Sequence, residues 1–233
     1  METWENAAFR LGLSNTLGLS LLCAPGTVLL AFVLACALWK FPSMSAPRVG
    51  MMLPYVLPSV CLAMVWRVFF EDHGLVNWSL VSLGLEGHAF LAGADMRVPV
   101  VVLFAWRNLG FLAIILLSAL QALPTDYYDY AHLEGATFAT THLRITFPLL
   151  APTILFALML AFTGSLKVFK DVYLIGGNYP DRSVYTLQHY MNNHFQNLNY
   201  GMLVSAAYIL AAIIFGVFGT LNAIEAHVRR RVY

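Results

Sequence analysis

The sequence predicts an all-α fold, a polytopic membrane helix bundle of about five transmembrane helices. Hydrophobic residues make up 60% of the 233-residue chain and charged residues 11%, against about 25% charged in soluble domains. Uncharged runs recur at the length of a membrane span. Polar segments separate them, so the apolar content is divided into blocks. A surface this poor in charge suits lipid rather than water.

A helix needs about 20 apolar residues to cross about 30 Å of hydrocarbon. The uncharged run Leu11–Trp39 supplies the first span, placed at 14–39. Val49–Trp66 continues to Phe70 as the second, 49–70. Val98–Leu120, interrupted only by Arg107, is the third, 98–120. Ile145–Leu166 contributes the fourth, 149–170, and Gly201–Ile224 the fifth, 201–225, which has no proline. Residues 1–233 thus read as one transmembrane domain. Pro25, Pro54, Pro58 and Pro152 lie in or at the ends of spans; there proline either kinks a helix or is simply tolerated.

Three connecting segments are polar: Glu71–Arg97, Gln121–Arg144 and Asp171–Tyr200. With Gln121–Arg144 cytoplasmic, the other two are external. The inner side then carries Lys40, Arg48, Arg144 and Arg229–Arg231, and the outer side Arg10, Arg97, Lys170 and Arg182. Basic residues favour the cytoplasmic face. The count therefore places the N-terminus outside and the C-terminus in the cytoplasm. No cleavable signal peptide is evident: the opening stretch carries Glu2 and Glu5 instead of a basic region.

Several chemistries find no support. The net charge of +1 suggests no nucleic-acid partner. Cys23, Cys36 and Cys61 fall in apolar runs without a CxxC pair, as small packing residues do. His132, His142, His189 and His194 have no familiar ligand spacing, so no metal site is expected. No catalytic residue is expected either. The lysines are Lys40, Lys167 and Lys170, and none completes a G-x-x-x-x-G-K-[ST] loop.

The informative stretch is Pro124–Phe138. Asp126 and Asp129 suit a helix N-terminus with its partial positive charge. Tyr127, Tyr130, Ala131 and Phe138 can form an apolar face. Gly135 suits a helix-ending position with positive φ. A second short helix is expected from Phe138 to Phe147, with Pro148 opening the next span. A helix, a glycine turn and a helix at the membrane face would present a knob to a soluble partner.

The pattern Asp129-Tyr-Ala-His-Leu-Glu134-Gly135-Ala136, followed by Ile145-Thr-Phe-Pro148, resembles the EAA loop of ABC importer permeases. By position Asp129 stands for the family glutamate, Tyr130 and Ala131 for its two alanines, and Gly135 for its glycine. Further likenesses are Asn15-Thr16-Leu17, Leu53-Pro54-Tyr55, Trp66-Arg67-Val68-Phe69, Gly74-Leu75-Val76-Asn77 and the stretch Phe169–Pro180. The resemblance runs from about residue 10 to 227 and points to the carbohydrate-uptake branch. It implies a type I importer permease fold in the bacterial plasma (inner) membrane, in a family that usually has six helices.

The resemblance also implies partners: ABC ATPase subunits that bind ATP and Mg, a second permease subunit of different sequence, and an external solute-binding protein. This chain would hold no cofactor of its own. The 121–148 loop would couple to the ATPase through Asp129, Tyr130, Ala131, Glu134, Gly135 and Ala136. For the solute pathway, Arg107 is an intramembrane charge that lines the route or pairs with an acid. Phe162, Phe169 and Tyr173 are of types that hold sugars. A Lys167–Asp171 pair is expected at i, i+4. Two other classes leave different marks. A gradient-driven transporter or channel would carry paired acids in its spans, and the five runs contain none. A membrane enzyme would gather histidines or acids at one depth.

Overall fold

The computed structural model describes residues 2–40 and 50–232, and all its regular elements are helical. Arg48 and Val49, assigned above to the inner side and to the second span, lie outside the described residues. In chain order the main helices are α1 (Ala7–Lys40), α2 (Ser59–Phe70), α3 (Leu75–Ser82), α4 (Arg97–Gln121), α5 (Asp126–Leu133), α6 (Phe138–Thr141), α7 (Ala151–Leu166), α8 (Val168–Gly176), α9 (Leu187–Gln196) and α10 (Tyr200–Val232). Four helical stretches have the length and apolarity to cross a membrane: Ala7–Lys40, Gly93–Gln121, Ala151–Gly176 and Tyr200–His227.

Helix α1 is the central post. Its 34 residues reach about 50 Å at 1.5 Å each, so it overhangs the hydrocarbon, and Pro25 does not break it. Ala24, Ala31 and Ala35 are buried along it, facing a cluster with Ala113 and Leu116 of α4 and Ala157 and Ala161 of α7. Small residues let helices approach closely where lipid offers no hydrophobic drive for association. Its other side, with Leu21, Leu22, Leu29 and Val33, is exposed, as a lipid-facing surface is.

The second expected span is not one helix. A single turn at Leu53–Val56 is followed by Leu57 and Pro58, both extended at ψ 143° and 134°, and then by α2. The ring of Pro58 disfavours helical backbone at the residue before it, which is why Leu57 leaves the helix. The entering chain passes close to α4 at Gly110, where a Cβ would overlap the Met51 carbonyl oxygen.

The fourth span also departs from its expected limits. It begins at Ala151, bends at Lys167 (φ −87°, ψ 0°) and continues as α8 to Gly176. Lys170 and Asp171, expected at its outer end, therefore lie within the helical stretch. Gly177, at φ +75°, ends it in a conformation that favours glycine.

At the end of the bundle where α1 and α10 begin, α9 packs against their first turns, burying Phe9, Leu187, Tyr190, Ala206 and Leu210. Side-chain hydrogen bonds fix this layer. Asn15 Nδ2 donates to the carbonyls of Arg182 (2.7 Å) and Tyr185 (2.9 Å). Thr16 Oγ1 accepts the Leu187 N–H at 2.9 Å, and Arg97 Nε donates to the Ser183 carbonyl at 3.0 Å. Asn77 plays the same part in the 71–92 segment, donating to the His88 carbonyl (2.8 Å) and accepting its N–H (2.9 Å).

His189 is fully buried in this layer, and its Nδ1 bonds Thr186 Oγ1 at 2.8 Å. Burial pulls its pKa from 6.5 down to about 4. The unfolded chain thus binds this proton more tightly than the folded one, and stability falls with pH between those values. The thermal midpoint of the detergent-solubilised protein, measured across a pH series, is expected to drop from about pH 6.5 toward 4 and to level off below. In His189→Gln that slope is expected to flatten; an unchanged slope would assign the loss to other groups.

Candidate functional site

Two places combine exposed surface with ordered polar chemistry. The first is the segment between α4 and α7. Here α5 begins at Asp126, and Asp126 and Asp129 occupy its first turn. It ends where the Ala136 N–H donates to the Ala131 carbonyl at 2.9 Å around Gly135, whose φ is +71°. This bond closes a Schellman turn, so the glycine stands where the sequence expected it. Thr137 then caps α6, its Oγ1 accepting the Thr140 N–H at 3.3 Å. A π-helical turn at His142–Thr146 leads toward α7.

The segment has an outer and an inner aspect. Tyr127, Tyr130 and Leu133 are exposed, Leu133 at 84%. A shallow groove of about 380 Å³ is lined by Tyr130, Ala131, Glu134, Ala136, Arg144 and Ile145, among others. Four of the predicted coupling residues thus share one groove. Asp129 is exposed outside its lining, and Gly135 forms the turn beside it.

Sequence reasoning missed the residue that holds α5 down. Tyr128 is buried, and its ring lies 4.6 Å from that of Trp39 at the end of α1. Its hydroxyl pairs with Thr146 Oγ1 (3.3 Å), which also pairs with His142 Nδ1 (2.8 Å). Burial raises the Tyr128 pKa and lowers that of His142, so both stay neutral near pH 7. Tyr127, Tyr128 and Tyr130 differ only in register, and the inward one could have been found by helical phase relative to Ala131.

The second place is a cavity of about 370 Å³ within the bundle, with Tyr55, Arg107, Asn108, Phe111, Lys167 and Asp171 in its wall. Arg107 on α4 reaches across to Asp171 on α8, Nη1 donating to Oδ1 at 3.1 Å and to Oδ2 at 3.3 Å. This replaces the expected Lys167–Asp171 pair. The bend at Lys167 separates the two residues from regular i, i+4 register. It also puts an acid within a span, where the uncharged runs had none. Tyr55 stacks on Phe111 with centroids 4.3 Å apart and planes 9° from parallel.

Of the residues named for the solute pathway, Arg107 lines this cavity. Phe162 instead is buried in the core cluster between α1, α4 and α7. Phe169 packs on Tyr173 and on His189 of the α9 layer, 5.6 and 4.6 Å between centroids. Aromatic type could not distinguish these sites in a chain with 14% aromatics. No group of three potential metal ligands occurs among the described residues.

Residues 21–232 match the family described as binding-protein-dependent transport system inner membrane component. The sulfoquinovosyl glycerol transport system permease protein SmoG of Agrobacterium fabrum is 29% identical over 93% of this chain and 70% of its own length. The trehalose/maltose transport system permease protein MalF of Thermococcus litoralis is 29% identical over 72% of this chain, which spans 57% of that protein. A chain in the crystal structure of a bacterial ABC transporter involved in the import of the acidic polysaccharide alginate superposes with a TM-score of 0.84. That match covers 95% of this chain and 80% of the other at 23% identity, and it shows a shared fold. With the model match extending over nearly the whole bundle, the chain belongs to the family of inner-membrane components of binding-protein-dependent transport systems.

Proposed function

We propose that this chain forms half of the translocation pathway of an ATP-driven importer for a carbohydrate-type solute. The observation that carries the reading is the inner-face element: a short helix ended by a Schellman turn at Gly135, apolar and exposed outward, and latched inward by Tyr128. The exposed side of α5 suits a cleft in a soluble ATPase, and the latched side connects it to the spans. ATP and Mg then belong to the ATPase, since this chain has no phosphate-binding lysine loop. A second, different permease subunit completes the pathway, and an external binding protein delivers the solute, in line with the family description.

In this mechanism closure of the ATPases moves the docked element, and the bundles rock between outward and inward access. The N-terminus faces outside and the C-terminus the cytoplasm, the orientation favoured by Arg229–Arg231 after the last span. The gradient-driven alternative needs an acid free to titrate within the membrane. Asp171 lies within a span, but it is paired with Arg107.

Two measurements test the reading. Replacing Gly135 by Trp is expected to abolish solute uptake while the bundle stays folded. An added Cβ meets open space there, but the positive φ strains any side chain by roughly 1–2 kcal/mol, and the bulk obstructs docking. Normal uptake in folded Gly135→Trp would count against the coupling role. Separately, an ATPase subunit is expected to co-purify with the detergent-solubilised chain and to be lost when Asp129, Glu134 and Gly135 are altered together. Its absence, under conditions that preserve other complexes, would favour the gradient-driven reading.

A further inference from the structure

We propose that the bundle cavity recognises an oxyanion, a carboxylate, sulfonate or phosphate, carried on a sugar-like solute. The proposal rests on the importer reading and adds the charge of the cargo. The first ground is the balance of charge in the wall, where Arg107 and Lys167 face one carboxylate, Asp171. Lys167 is exposed and makes no ion pair among the described residues. The cavity therefore keeps an excess positive charge at membrane depth, where uncompensated charge is costly. An arriving anion would neutralise it.

The second ground is the geometry of Arg107. It meets Asp171 through Nη1 alone, which donates to both carboxylate oxygens. Its Nε and Nη2 donate to no group among the described residues. A guanidinium presents paired N–H donors in a planar fork that fits carboxylate and phosphate edges, and this one keeps that fork unfilled. Asp171 is nearly buried and fixes the head by the other side; its side chain is 9% exposed against 26% for Arg107.

The third ground is what stands beside the charges. Tyr55 and Phe111 stack to form an aromatic pair in the same wall. Asn108 Nδ2 donates to the Phe104 carbonyl at 2.8 Å, which leaves its Oδ1 to accept from a hydroxyl. Aromatic surface and an amide acceptor suit a sugar ring; the cations suit an acidic substituent on it.

The test uses the assembled transporter in nanodiscs, without its external binding protein, and calorimetric titration with glucose, glucuronate and glucose 6-phosphate. At least one charged probe is expected to bind about tenfold or more tightly than glucose, with the preference shrinking as salt is added. The double variant Arg107→Gln/Asp171→Asn leaves no buried unpaired charge and is expected to abolish the preference. Lys167→Gln, which leaves the ion pair intact, is expected to reduce it. Equal binding of charged and neutral probes, no binding of either charged probe, or a preference unchanged in the folded double variant would overturn the proposal. Co-purification of the ATPase is read independently, so loss of anion preference in an assembly that retains its ATPase refutes this inference and leaves the importer reading standing.

Discussion

Within hydrocarbon no water is present to satisfy a backbone N–H or carbonyl, and the whole architecture follows from that constraint. It makes every long crossing a helix. It also tells where a helix can stop: irregular backbone at membrane depth is tolerated when buried in protein or lining a polar cavity. The chain interrupts its spans at Leu57–Pro58 and at Lys167. Tyr55, just before the first break, and Lys167, at the second, both stand in the wall of the same cavity. The departures from helix and the polar interior are thus one feature, since each makes the other permissible.

At the two membrane faces water returns, and connecting segments are free to leave helix. Here single amides organise what the backbone ladder no longer does. Asn15 takes two carbonyls of the 182–185 segment, and Asn77 brackets His88 through both its carbonyl and its N–H. Each side chain is buried, so its bonds are made away from competing solvent, and removing one would strand its partners. Both residues lie in short stretches, Asn15-Thr16-Leu17 and Gly74–Asn77, that carry the resemblance to importer permeases. Their structural use gives that pattern a physical reason.

The spans were legible because lipid imposes a coarse rule: about 20 residues without charge. The turn at Gly135 was legible because few residues tolerate positive φ and because acids precede it at a helix start. What escaped were pairings between distant segments. Local spacing offered Lys167 as partner for Asp171, yet Arg107, distant in sequence, holds it; a bend in the helix outweighed the i, i+4 rule. Phe162 and Phe169 carry no mark that separates core from cavity, whereas Tyr128 is told from Tyr127 and Tyr130 only by which side of α5 faces Trp39. The run Val49–Trp66 carries no charge, and that alone could not say which of Pro54 and Pro58 would break it. Pro54 sits in a first turn, where its missing N–H costs little, and Pro58 does not.

The α5–α6 element and the cavity are joined through the helices themselves. α4 ends at Gln121, only a short turn before α5 begins, and the π-helical turn at His142–Thr146 continues through Phe147–Leu149 to α7. These same two helices carry Arg107, Asn108 and Phe111 on one side of the cavity and Leu160 and Gly164 on another. The latch of Tyr128 and His142 on Thr146 ties α5 to the start of α7, while stacking on Trp39 ties it to α1. Packed helices and this latch thus connect α5 to the elements that form the cavity wall. Asp171 stands on α8, beyond the bend at Lys167, and its pairing with Arg107 ties α8 to α4 across the cavity. The ion pair thus closes one side of the cavity between two helices that meet the rest of the bundle at different places.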